Sequence, residues 1–210
     1  CWSAKWVGEK KEKFNSVVLS DPKEMLLEIH SLLDEADAVI HYNGSKFDIP
    51  VLNKEFLLHG MSPPAPYKQI DLLKVARGQF RFASNKLDYV AQALGLGKKT
   101  SHIGHELWVQ CMAGDKKAWK VMEEYNRNDV TLLERVYNRL LPWIKGHANY
   151  SLYNEDSLCC PNCGSGKYQR RGYAFTHAGK YARYQCQKCF KWFRGRKSEA
   201  PHPAISFVDC

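Results

Sequence analysis

Two Cys-x-x-Cys pairs near the C-terminus constrain this chain more tightly than any other feature. Cys160 and Cys163 form the first pair, Cys186 and Cys189 the second, and 22 residues lie between them. A Cys-x-x-Cys turn aims two thiolates at one point. Two such turns complete a tetrahedral zinc site, and with four protein ligands it has no open position, so the ion is structural. Pro161 and Gly164 suit a tight knuckle. Cys159 adjoins the first pair, but its spacing to Cys163 is less favourable.

The stretch "KYQRRGYAFTHAGKYARYQC" between the pairs is strand-like and suits a hairpin. We therefore expect a small β zinc ribbon over 159–197. The chain's net charge of +9 gathers here: ten Lys and Arg residues and no Asp or Glu lie between Ser157 and Ser198. The first 156 residues are close to neutral. A basic face of this kind meets a polyanion, most often nucleic acid. Tyr168, Tyr173, Phe175, Tyr181, Tyr184, Phe190, Trp192 and Phe193 are interleaved with the cations. Aromatics so placed can stack on bases while cations hold phosphates, and roughly half should instead form the ribbon's own core. Arg170, Arg171, Arg183, Lys191, Trp192 and Arg194 are the candidate nucleic-acid contacts.

The remainder alternates strands and helices, which defines an α/β domain over 1–147. "CWSAKWVG" and "FNSVVLS" read as a hairpin. Asp21-Pro22 opens a helix whose apolar residues recur at helical spacing. "DAVIHYN" is a short buried strand, Ile49 to Leu58 a helix ended by Gly60, and "QIDLLKVARG" a strand or short helix. "KLDYVAQALGLG" is a further helix, and 105–144 reads as two helices split near Gly114-Asp115. Apolar periodicity stops at 148–158, the expected linker, and 198–210 is a tail without clear structure. No stretch approaches the roughly 18 apolar residues of a membrane span. The N-terminus lacks the order of a signal peptide. Together with cysteines spaced for metal, this points to a reducing, cytoplasmic setting.

Asp48 is the pointed question of the α/β domain. It follows the turn "NGSK" just where an apolar strand has ended and a helix begins, and a carboxylate buried there needs a helix N-terminus, a base or a metal. Tyr125 and Asp129 stand four apart on a helix and share a face with Leu132, Leu133 and Val136. On their own they read more readily as a surface pair. Taken together, Asn43-Gly44-x-x-Phe47-Asp48 and Tyr125-x-x-x-Asp129 resemble the second and third motifs of DnaQ-like 3′–5′ exonucleases of the DEDDy type. The resemblance covers about residues 1–145 and extends to "QIDLLKVARGQF" and "KLDYVAQALGLGKK", similar to phage and bacterial enzymes.

This resemblance implies a ribonuclease H-like fold, a mixed sheet flanked by helices. It implies two-metal phosphodiester hydrolysis, with Mg2+ or Mn2+ ions about 4 Å apart held by Asp48 and Asp129. Tyr125 would orient the water, and Asn43 and Phe47 would shape the cleft. DNA is the more expected substrate than RNA. The family's first motif, Asp-x-Glu on the first strand, is missing. "DEAD" at 34–37 and "NED" at 154–156 lie outside apolar strands, and "CWSAKWVG" matches the family's second strand. We therefore expect the natural protein to begin upstream of Cys1, with part of the metal site there. The alternative is a nucleic-acid-binding protein on a degenerate nuclease fold. Asp71 more plausibly caps a helix than binds metal, and Asp88 belongs to a helix's first turn. "GLGKKT" fails as a phosphate-binding loop, because position 92 is Gln where its first glycine should be.

Overall fold

The computed structural model describes residues 1–100, 104–153, 158–177 and 179–199. The expected tail beyond 199 and part of the expected linker lie outside them. Contacts divide the chain into two compact units, Cys1–Arg139 and Leu140–Cys210.

In the first unit, β1 (Trp2–Ala4) pairs antiparallel with β2 (Lys13–Asn15), as the hairpin reading expects. Helix α1 (Pro22–Glu35) starts where the Asp21 side chain accepts from the Lys23 N–H and Pro22 takes the first turn. Its Leu26, Ile29 and Leu33 form one buried stripe, and Phe56 of α2 (Asp48–Leu58) packs into it. Trp2, Ala4, Val39, Leu52 and Tyr67 close around this cluster. Strand β3 (Ala38–His41) leads into α2, and the chain returns to β4 (Lys68–Asp71), which pairs parallel with β3. That is a β-α-β unit, in which a helix carries the chain back to the starting end of the sheet. "QIDLLKVARG" is strand and helix in succession: β4 ends at Asp71, whose carboxylate caps α3 (Leu72–Gln79). Then follow α4 (Leu87–Ala93), α5 (His105–Met112) and α6 (Lys116–Leu140). Gly114, at φ 84°, and the Asp115 side chain, accepting from the Lys117 N–H, separate the last two as the sequence suggests.

The sheet departs from expectation. Instead of one mixed sheet, the described strands of this unit form two separate pairs, β1 with β2 and β3 with β4. The reason is geometric. All of β1 and all of β3 line a single cavity of about 1110 Å3, to which β4 contributes nothing. The inner edges of the two pairs thus border open space, and no described strand bridges it.

The second unit is built on a three-stranded antiparallel sheet of β5 (Tyr168–Thr176), β6 (Gly179–Cys186) and β7 (Trp192–Ser198). Tyr168, Tyr184 and Phe193 pack ring against ring at 5.5–5.7 Å and form its small aromatic core. Residues 141–152 belong to this unit. The Tyr150 N–H donates to Pro161 O at 2.9 Å, and Asn162 Nδ2 donates to Leu141 O at 3.0 Å.

Phe56 is 2% exposed and its neighbour Leu57 77%. Replacing Phe56 by Ala should cost about 3–5 kcal/mol in urea unfolding. Leu57→Ala should stay within about 0.5 kcal/mol of the parent.

Candidate active site and metal centre

The turn that presents Asp48 is held from below by a buried carboxylate. Asp71 accepts from the Asn43 N–H at 2.9 Å, the Ser45 hydroxyl at 2.8 Å and the Leu73 N–H at 3.0 Å. Burial pushes its carboxyl up, but these donors outweigh it and leave it below the ordinary carboxylate range. Asp71 is therefore the expected helix cap and also a clamp on the 43–48 turn. Asn43 adopts φ 66°, a left-handed conformation that Asn tolerates better than most residues. Gly44 leaves no room for a side chain: a Cβ there would lie 2.7 Å from His41 Cγ and 3.1 Å from Asp48 Oδ2. Its N–H donates to His41 Nδ1 at 3.1 Å, which leaves the Nε2–H of the buried His41 ring to meet Gln69 Oε1 at 3.2 Å.

Asp48 itself corrects the premise of the sequence argument. It is exposed in the first turn of α2, so it carries no burial cost, and the helix N-terminus favours its charge. Phe47 is also exposed. Asn43, Phe47 and Asp48 line the cavity between β1 and β3, and so do Asp129 of α6, Asp88 and Lys99. Four of the five α/β site residues named from sequence thus face one space. Tyr125 reaches it indirectly: Lys99 Nζ donates to Tyr125 Oη at 2.9 Å and to Asp129 Oδ2 at 2.6 Å. Burial pushes the Lys99 ammonium down, but these two hydrogen bonds outweigh it and hold it above its ordinary value. The other oxygen of Asp129, Oδ1, is buried and has no hydrogen-bond partner among the described residues. A buried, unsatisfied carboxylate oxygen and an exposed carboxylate lining one cavity suit a hard cation.

Sequence reasoning missed Lys99 as a partner of Asp129 and Asp71 as the clamp of the turn. Lys99 stood in plain view within "GLGKKT", but nothing local ties a loop lysine to a helix 30 residues on. The turn at Asn43-Gly44-Ser45-Lys46 was legible, but not the carboxylate that fastens it.

In the second unit the four cysteines converge. The Sγ atoms of Cys160, Cys163, Cys186 and Cys189 all lie within 4.8 Å of one another, the only such group of metal-ligand side chains among the described residues. Cys160 and Cys189 Sγ stand 3.7 Å apart, and Cys163 and Cys186 Sγ 3.6 Å. A tetrahedron of Zn–S bonds near 2.3 Å has edges of about 3.8 Å, whereas a disulfide would need about 2.05 Å. The residues fit a tetrahedral ion such as zinc. Burial pushes the Cys160 thiol up to about 11. Burial also acts upward on Cys186, but the N–H groups of Cys189 and Lys188, at 3.4 and 3.3 Å from its sulfur, prevail and bring it to about 7. Cys159 is buried outside the group.

The basic contacts named from sequence divide by what they touch. Arg183 lies over Trp192 at 5.0 Å and Arg194 over Tyr181 at 4.0 Å, a cation–π pair on each side of the Arg183–Arg194 register. Arg171 is exposed. Arg170 is ion-paired with Glu199 at 2.6 Å, and Lys191 Nζ donates to Ile144 O at 2.6 Å. Those last two are engaged within the unit.

Asp71→Ala should lower stability by about 2–3 kcal/mol near neutral pH, since one charged acceptor serves three donors. A carboxyl held below its unfolded value stabilises above that value, about 3.9, and loses the effect as pH falls through the folded one. The gap between Asp71→Ala and the parent in urea titrations should therefore narrow below about pH 4. Metal analysis should find one zinc per chain, lost together with the ribbon's near-ultraviolet dichroism in Cys163→Ser.

No match emerges from comparison with curated proteins. The family model of the RNase_H superfamily matches residues 3–141, which is most of the chain. By that match this chain is a member of the ribonuclease H superfamily.

Proposed function

We propose that this protein is a metal-dependent 3′–5′ exonuclease, acting on DNA in preference to RNA, whose basic zinc ribbon holds the substrate. The observation that carries the reading is the gathering of Asn43, Phe47, Asp48 and Asp129 on one cavity, with Asp129 Oδ1 buried and unsatisfied. Membership of the superfamily supports nuclease-type hydrolysis of nucleic acid. Asp48 and Asp129 would hold the divalent ions, whose chemistry when bound is activation of water and stabilisation of the leaving 3′ oxygen. The Tyr125 hydroxyl, one turn from Asp129, orients the water. Exposed Phe47 offers a ring for the terminal base. The carboxylates of an Asp-x-Glu strand would complete the site, and the gap between β1 and β3 is the space open to such a strand.

A second reading is a non-catalytic nucleic-acid-binding protein on the same fold. The ion pair between Lys99 and Asp129 favours it, because Asp129 already has a cation.

The deciding experiment is digestion of 5′-labelled single-stranded DNA with Mg2+ or Mn2+ by a full-length version that carries an Asp-x-Glu strand. A ladder shortening from the 3′ end, absent in Asp48→Asn and Asp129→Asn, is the expected result. Intact DNA that the protein still binds would establish the second reading. In either case Arg183→Ala with Arg194→Ala should weaken DNA binding, and the slope of log K against log salt should fall by about 1.4 for two single-strand phosphate contacts.

A further inference from the structure

The Lys99 ammonium is not a stray surface charge. Its loop is stapled to α6 at several points. Arg135 Nη1 donates to Leu96 O at 3.3 Å and Asn128 Nδ2 to Lys98 O at 3.4 Å. Gly97, at φ 118°, would bring a Cβ within 3.6 Å of Leu132. On the other side the Lys99 N–H donates to Asp88 Oδ1 at 2.8 Å. A loop fixed at both flanks delivers the ammonium to Asp129 and Tyr125, where it also lies 5.0 Å from the Tyr125 ring centre. Preorganisation of this kind removes much of the entropy cost that weakens ordinary surface ion pairs.

We propose that Lys99 is a tethered counter-cation of Asp129 that competes with a divalent ion for this carboxylate. The proposal rests on the nuclease reading of the cavity. Without metal, Lys99 neutralises Asp129 and keeps Tyr125 and Asp129 in register along α6. A divalent ion drawing on the same carboxylate would bring two like-signed charges within a few ångströms, and they repel. Binding therefore requires the flexible lysine side chain to leave Oδ2. No covalent step is involved: one cation exchanges for another on a fixed carboxylate.

The test is Mn2+ affinity, read from the electron paramagnetic resonance signal of free Mn2+, on the full zinc-loaded chain. Lys99→Met should bind Mn2+ about five-fold more tightly than the parent, the equivalent of one half-exposed ion pair. It should also melt at a lower temperature without Mn2+, with the difference narrowing as Mn2+ is added. Lys99→Gln gives the same comparison if the Met variant does not fold, and Lys99→Arg, which keeps the charge, should bind as weakly as the parent. Unchanged or weaker Mn2+ binding in Lys99→Met and Lys99→Gln, while Asp129→Asn loses the ion, would overturn the role of Lys99 and leave the nuclease reading standing. Mn2+ binding that Asp129→Asn does not alter would overturn both.

Discussion

Much of the first unit hangs on the carboxylate of Asp71. It ends β4, starts α3 and fastens the turn that follows the neighbouring parallel strand. The register places His41 directly opposite Asp71, so the last residues of β3 and β4 and the turn between β3 and α2 are tied at one point. A parallel pair only four residues long is a weak element by itself. A charge accepting three hydrogen bonds in a buried place converts it into a rigid platform. The exposed Asp48 inherits its position from that platform, because the Asn43-Gly44 turn has little freedom once both ends are fixed.

The sequence made the platform's parts visible but not their joint. Asp71 followed by a helical pattern reads as a cap, and it is one. Its second task depends on β3 and β4 being adjacent, which no local pattern encodes across a separation of 28 positions. The four cysteines were legible for the opposite reason: two local turns suffice to specify where they point, and only one arrangement lets all four meet. Helix α6 lies between these cases. Its periodicity placed Asp129 beside Leu132 and Val136, which are buried as expected, yet the partner that fills its inner space is a loop lysine with no periodic signature. The misjudgement of Asp48 has a physical source too. A residue next to a buried strand need not be buried when the chain turns outward at once.

The two units divide the electrostatics. The first is close to neutral, and on its cavity Asp129 meets the ammonium of Lys99. The second carries the positive charge, and there the sheet separates functions by face. Tyr168, Tyr184 and Phe193 are spent on packing, whereas Tyr181 and Trp192 lie under guanidinium groups. A guanidinium over an aromatic ring is held flat and loses little freedom when a phosphate arrives. Arg170, paired with Glu199, has to break an ion pair to do the same. Affinity for a polyanion should thus be concentrated on β6 and β7 rather than spread evenly over the ten cations.

The gap between β1 and β3 gives these observations an order. Its lining includes all of β1 and β3, each paired on one side only among the described residues, and an unpaired strand edge is a template for another strand. Its apolar lining, including Leu32, Leu33, Leu52 and Leu133, gives such a strand one face to bury, while Asp48, Asp129 and Lys99 stand on the same cavity. A strand seated there that carried further carboxylates would add negative charge beside Asp129. A single ammonium could then no longer balance the site. Divalent ions would become the better counter-charge, and Lys99 the weaker competitor. Under the proposed nuclease reading, sheet completion and metal affinity would be coupled through one carboxylate.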